Sequence, residues 1–408
     1  MPDISFTNLL GVLAVALLAP LAVGLVPWLR VPAVVVEIVL GVVLGPHLAG
    51  WLHLDLAVQI VGLLGLAMLL FLAGLEVEVD RLRGRVLLVA AAGYVVSLVL
   101  GSGIGAGMHL AGWVSDPLLL GVALSATSLG LVVPVLKDAG HVETALGQAV
   151  IASASLADFG AVLLLSLLFS VDSRGTGAKL LSLGVFVGLI AVAGVATWLS
   201  SRSMRLTDVF RRLQDTSAEI RVRAAMLLLI CFVVLAERFG LESILGAFLA
   251  GACIAVLDRD SSTHPHFRLK LEAVGYGFLI PVFFVSSGMR LDVSGLLSDP
   301  AQAARVPVFL LALLLARGLP ALLWRSRLGP RETVAAALLQ ATSLPFLVTA
   351  SQIGVVTGRM SMATATALVC AGLLSVLLFP VAAVSQIGRR SADLTLATDR
   401  RRWAASPR

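Results

Sequence analysis

About 13 apolar segments of membrane-spanning length follow one another along this chain of 408 residues, and that succession limits its fold more than any other feature. Their approximate ranges are 7–27, 32–49, 57–76, 86–109, 117–137, 146–170, 179–200, 221–237, 241–257, 272–290, 304–324, 332–353 and 361–386. A helix that crosses lipid satisfies its backbone polar groups internally, so such a chain is expected to fold as an all-α polytopic membrane protein. No strand alternation and no heptad seam competes with this reading. Charged residues make up 13% of the chain, against roughly 25% in soluble domains. The start, "MPDISFTNLL", has no positively charged lead, so the first apolar run reads as a true span and not a cleaved signal. Cys231, Cys253 and Cys370 fall in apolar runs at unrelated spacings and read as buried packing residues.

The positive balance is not a nucleic-acid signal, because the basic residues sit in short gaps between apolar runs; the expected partner is membrane lipid. Alternate gaps and the C-terminal tail hold about 23 of the 30 Lys and Arg. Cytoplasmic loops carry such an excess, so the N-terminus is expected outside and the C-terminus in the cytoplasm, which requires an odd number of spans. Arg far outnumbers Lys, a usage of GC-rich bacterial genomes, so the expected location is a bacterial plasma (inner) membrane. The tail of about 20 residues after the last span is too short for a soluble regulatory domain.

Three segment pairs recur in the same order, roughly 205 to 215 residues apart. "EIVLGVVLGP" from Glu37 resembles "ESILGAFLAG" from Glu242; "FLAGLEVEV" around Gly74 resembles "VSSGMRLDV" around Gly288; "SATSLGLVV" resembles "QATSLPFLV". Each pair is separated by an odd number of spans, which makes the halves inverted-topology repeats, a plan common among transporters. The doubled "ATSL" is followed by Gly130 and Pro134 in one copy and by Pro345 and Gly354 in the other. These breakers predict two interrupted helices, and matched broken helices in inverted halves point to a substrate site. Thr127 and Ser128 in the first copy, and Thr342 and Ser343 in the second, could ligate a small cation or satisfy the freed backbone.

Asp158 lies at the centre of "IASASLADFGAVLLLSLLFS", where a carboxylate costs roughly 2.5–3.5 kcal/mol on insertion scales. One carboxylate can hold a proton or a monovalent cation in turn, the minimum chemistry of an exchanger. Ser155, three residues earlier on the same helical face, is either a ligand or a local helix hydrogen bonder. Arg317, inside "VFLLALLLARGLPALLW", could balance the broken helices, pair with Asp158, or be a static structural charge. Glu37 and Glu242 correspond in the repeat, which favours a structural or lining role. Ala367 stands in the second half where Asp158 stands in the first. His47, His109 and His141 show no metal spacing, and no phosphate loop, nucleophile elbow or zinc-protease helix occurs, so neither an enzyme nor a cofactor is expected.

Taken in order, "EIVLGVVLGP", "SATSLGLVVPVLKDAG", "GQAVIASASLADFGAVLLL", "PVFFVSSGMRLD", "LLLARGLPALL" and "LLQATSLPFLVTASQIG" resemble the sodium/proton exchangers of the monovalent cation:proton antiporter-2 family. The resemblance implies the sodium/proton antiporter fold and a homodimer working as an elevator for pH homeostasis. It implies dimerisation helices in 1–85 and 221–300, core transport helices in 86–170 and 301–388, a linker helix and basic cytoplasmic loop in 171–220, and a basic cytoplasmic tail in 389–408. The family's ion-binding aspartate falls on Asp158, its crossing hydroxyls on Thr127 and Ser128, and its basic residue on Arg317. Two departures matter. Many electrogenic members carry an acid, and others Asn or Gln, where this chain has Ala157; electrogenic members also carry Lys where Arg317 stands. The expectation is therefore electroneutral exchange of protons for sodium, favoured over potassium. The alternative is a potassium efflux transporter or channel of the glutathione-gated type lacking its regulatory domain.

Overall fold

In the computed structural model the chain is described over residues 6–25, 32–76, 84–169, 219–257 and 265–387, with isolated positions 177, 184, 185 and 188. The described residues are helical, without a strand. The first half comprises α1 (Thr7–Leu25), α2 (Ala33–Leu44), α3 (Leu56–Leu75), α4 (Gly84–Leu110), α5 (Pro117–Ser125), α6 (Leu129–Asp138) and α7 (Ala145–Phe169). The second half begins with α8 (Ile220–Arg238), α9 (Ser243–Leu257) and α10 (Pro265–Val274), which runs through a π-helical turn at Gly275–Leu279 into α11 (Ile280–Met289). Short helices α12 (Val293–Ser298) and α13 (Pro300–Ala303) lead to α14 (Arg305–Leu313), continued by π and 3-10 turns to Trp324. The chain then forms α15 (Pro330–Gln340), α16 (Pro345–Val356) and α17 (Met362–Ile387).

Among the described residues nine helices, counting each interrupted pair as one, are long and apolar enough to cross a membrane, and two shorter apolar helices accompany them. All but three isolated positions of the expected span 179–200, the loop that follows it and the tail 389–408 lie outside the described residues. Every other expected range overlaps a helix or an interrupted pair, but the one expected at 32–49 stops at Leu44, where Gly45 turns extended (φ −69°, ψ 177°). One start is corrected: the segment expected at 272–290 begins at Pro265, because the π turn carries helix across Gly275 and Gly277. Leu10, Leu17 and Leu21 on α1 and Leu88, Val95 and Val99 on α4 are exposed, as suits faces that meet lipid. The cysteine reading is corrected for Cys231, which is exposed on α8; Cys253 and Cys370 are partly buried.

Helices α1–α3 pack chiefly with α8–α11, and α4–α7 chiefly with α14–α17, so each group draws on both halves of the sequence. Glycines set the closest approaches in the first group. A Cβ on Gly41 would strike the Val285 carbonyl, and one on Gly288 the Ile38 carbonyl, where α2 meets α11. A Cβ on Gly74 would strike the Phe248 carbonyl, and one on Gly251 the Phe71 carbonyl, where α3 meets α9. Backbones that touch this way hold through dispersion and tolerate no side chain between them. Gly74 and Gly288 occupy equivalent places in the sequence repeat, and each is nested against a helix of the other half.

Candidate ion-binding site

Both "ATSL" words lie in breaks, and the breaks meet. Ala126 (φ −82°, ψ 156°) and Ser128 (φ −88°, ψ 93°) are extended between α5 and α6. The first helix therefore breaks at the polar word itself, ahead of the expected breakers, and Gly130 and Pro134 lie within α6. In the second half Leu344 (φ −142°, ψ −60°) precedes Pro345, which starts α16 where its missing amide is no loss. Backbone groups freed in each break are satisfied by the other. Ser128 donates its amide to the Thr342 carbonyl (3.0 Å), the Leu344 amide donates to the Ser128 hydroxyl (3.1 Å), and the Thr127 hydroxyl donates to the Gln340 carbonyl (2.7 Å).

Asp158 sits on α7 beside the first break and accepts a hydrogen bond from the Leu129 amide at 3.3 Å. Leu129 opens α6, so the carboxylate faces the positive end of that helix. A cavity of about 80 Å³ brings Asp158 together with Thr127, Ser128, Gly130, Glu76 and Tyr276. Within α6, Pro134 has no amide to offer the Gly130 carbonyl four residues back, which leaves a carbonyl in the cavity lining without its usual helix donor.

Arg317 is buried in the π turn after α14, and its guanidinium holds three elements together. Nε donates to the Thr127 hydroxyl (2.8 Å), Nη1 to the Ser97 hydroxyl on α4 (3.0 Å) and Nη2 to the Ser153 carbonyl on α7 (3.4 Å). Ser153 also accepts from the Trp324 indole at 3.2 Å. The Thr127 hydroxyl is thus engaged by Gln340 and Arg317, while Ser128 presents the freer polar surface to the cavity.

The remaining expected residues are placed elsewhere. Ser155 is buried on α7 and is absent from the cavity lining, as is Glu37 on α2. The Thr342 hydroxyl donates back to the Leu338 carbonyl in the last turn of α15 (3.1 Å). The Ser343 amide and carbonyl are both held by the Ser375 hydroxyl on α17 (3.2 and 3.1 Å). Ala367 is buried on α17 and brings no carboxylate to this crossing.

Sequence reading missed Glu76. It ends α3 and lines the same cavity as Asp158, with Oε2 buried and taking no hydrogen bond among the described residues. Its Oε1 lies 3.6 Å from Nη2 of Arg268 on α10. The available signal was the repeat word "FLAGLEVEV" itself, in which Glu76 directly follows the close-packed stretch around Gly74.

Fold and site define a polytopic membrane transporter in which two broken helices cross beside a half-buried carboxylate. The transmembrane family of sodium/hydrogen exchangers matches residues 13–384, and the chain belongs to that family. It is 30% identical over 369 residues to the putative Na(+)/H(+) antiporter YjbQ of Bacillus subtilis, covering 87% of this chain and 58% of that protein. It is 30% identical over 273 residues to a Na(+)/H(+) antiporter of Enterococcus hirae, covering 65% and 68% of the two chains. The Na(+)/H(+)-K(+) antiporter GerN of Bacillus cereus is 28% identical over 281 residues, covering 65% and 67%. The solved structure of the sodium proton antiporter MjNhaP1 from Methanocaldococcus jannaschii superposes with a TM-score of 0.64 at 18% identity, over 94% of this chain and 97% of that one. The family resemblance and the antiporter fold expected from the sequence are borne out.

Proposed function

We propose that this chain is a secondary antiporter that exchanges a monovalent cation for protons, with Asp158 holding one or the other in turn. The observation that carries the reading is the position of Asp158, which shares a small cavity with the first helix break and faces the start of α6. A cation there is held by the carboxylate, by Ser128 and by carbonyls of the interrupted backbone. A proton arriving from the other side neutralises the carboxylate and releases it. The bare carboxylate is costly at membrane depth, so the loaded forms cross and coupling needs no separate gate.

Family membership supports the reading, as do the names of the relatives in Bacillus subtilis and Enterococcus hirae. Sodium is the favoured cation; the name of the Bacillus cereus relative makes potassium the comparison to run. Exchange is electroneutral in this account. Ala157 adds no charge beside Asp158, and Arg317 is occupied by Thr127, Ser97 and Ser153. The α1–α3 and α8–α11 group serves as the dimerisation scaffold of a homodimer, and the α4–α7 and α14–α17 group moves as the elevator in a bacterial plasma membrane.

Proteoliposomes containing a pH-sensitive dye test this directly. Sodium added outside drives protons out of wild-type vesicles, and a membrane potential alone drives nothing. A cation current without counter-moving protons would establish a channel instead. Exchange driven by potential alone would overturn electroneutrality.

A further inference from the structure

We propose that Arg268 is a tethered counterion for Glu76 at the mouth of the Asp158 cavity, which an incoming cation must displace. This rests on the antiport reading and deepens it. Glu76 closes α3 with one carboxylate oxygen buried and unpartnered among the described residues, in the wall that also holds Asp158. A carboxylate oxygen shielded from water and left open is where a small cation gains most. Its other oxygen faces the Arg268 guanidinium at 3.6 Å, beyond hydrogen-bond length, so the two attract without being locked.

Arg268 is also tied outward. Its Nε donates to Oε1 of Glu272, one turn further along α10, at 2.7 Å, and its side chain is about half exposed. The guanidinium is therefore shared between an inner carboxylate, 18% exposed, and an outer one, 32% exposed. It can yield Glu76 to a cation and remain paired to Glu272. The neighbouring wall supports this use. A Cβ on Gly130 would come within 3.6 Å of the Tyr276 hydroxyl and 3.8 Å of Glu76 Oε2, so both polar groups stand over the start of α6. Tyr276 lies in the π turn that follows α10, and such turns gather at functional sites. The other cation on α10, Lys270, is held by Glu219 at 2.7 Å.

The test measures sodium-dependent thermal stabilisation of the purified full-length chain at fixed pH, which reads binding without transport. Arg268→Gln is expected to lower the half-saturating sodium by roughly two- to five-fold, the range set by a partly exposed pair. Arg268→Lys stays near wild type. Glu272→Gln, which removes the outer partner, raises the half-saturating concentration. In a Glu76→Gln background the Arg268→Gln shift disappears. A general loss of fold would lower the melting point without sodium and would not give opposite shifts for Arg268→Gln and Glu272→Gln. No shift or a rise with Arg268→Gln overturns the proposal, as does an equal fall in the Glu76→Gln background. Proteoliposome flux separates the two readings: a wild type that binds sodium and moves no protons refutes antiport, and the binding comparison still decides the role of Arg268.

Discussion

At the scale of single residues, Asp158 is proposed to carry the chemistry and Arg317 to hold the architecture. Asp158→Asn keeps the shape and the Leu129 contact but cannot alternate between a proton and a cation. Its proteoliposomes are expected to show no sodium-driven proton flux above protein-free vesicles. Arg317→Ala takes the guanidinium away from the Ser97 hydroxyl and the Ser153 carbonyl, and leaves the Thr127 hydroxyl with the Gln340 carbonyl alone. At roughly 1–3 kcal/mol for each buried group left unpaired, it should lower the thermal midpoint in detergent well below wild type. Arg317→Lys keeps the charge but cannot reproduce the fork, so its midpoint falls between the two. Asp158 and Arg317 were legible in the sequence because a charge in a long apolar run stands out. Glu76 was not, because it opens the acidic stretch "EVEVD", which reads as an ordinary span end. Ser97, Ser153 and Ser375 carry no spacing signal; a serine inside a helix gains meaning from the group it reaches, which tertiary packing decides.

At the scale of elements, the two breaks and the glycine seams were legible for different reasons. The breaks show because a polar word and nearby breakers recur in two apolar segments. Their location within the first copy did not show, because helix can continue through Gly130 and Pro134 once the chain has already unwound at Thr127 and Ser128. The seams show as repeat words, but the pairing of α2 with α11 and of α3 with α9 is a property of the packed molecule. Ser375→Ala leaves the Ser343 amide and carbonyl without their partner on α17, at a cost of roughly 1–3 kcal/mol. It should lower the thermal midpoint and slow exchange while leaving half-saturating sodium close to wild type, since Ser375 is away from the Asp158 cavity. Gly251→Ala drives a methyl into the Phe71 carbonyl and should destabilise by about 1–3 kcal/mol or more as α3 is pushed from α9. Gly277→Ala is the matched control, since its Cβ meets nothing within 4 Å. Thermal unfolding of the two variants side by side checks the seam.

At the scale of the whole molecule, loop charge and repeat symmetry together predict the orientation. With the C-terminus in the cytoplasm, a cysteine placed in the tail labels with an impermeant thiol reagent only after cells are opened. In that orientation the end of α3, where Glu76 stands, is expected on the cytoplasmic side. The central claim is that one carboxylate holds a proton or a cation, never both. Sodium titrated into purified protein in weakly buffered detergent tests it most directly, with released protons followed by a pH indicator. Wild type is predicted to release protons in step with bound sodium, and Asp158→Asn to release none. Sodium binding without proton release, or equal release from Asp158→Asn, would contradict the account.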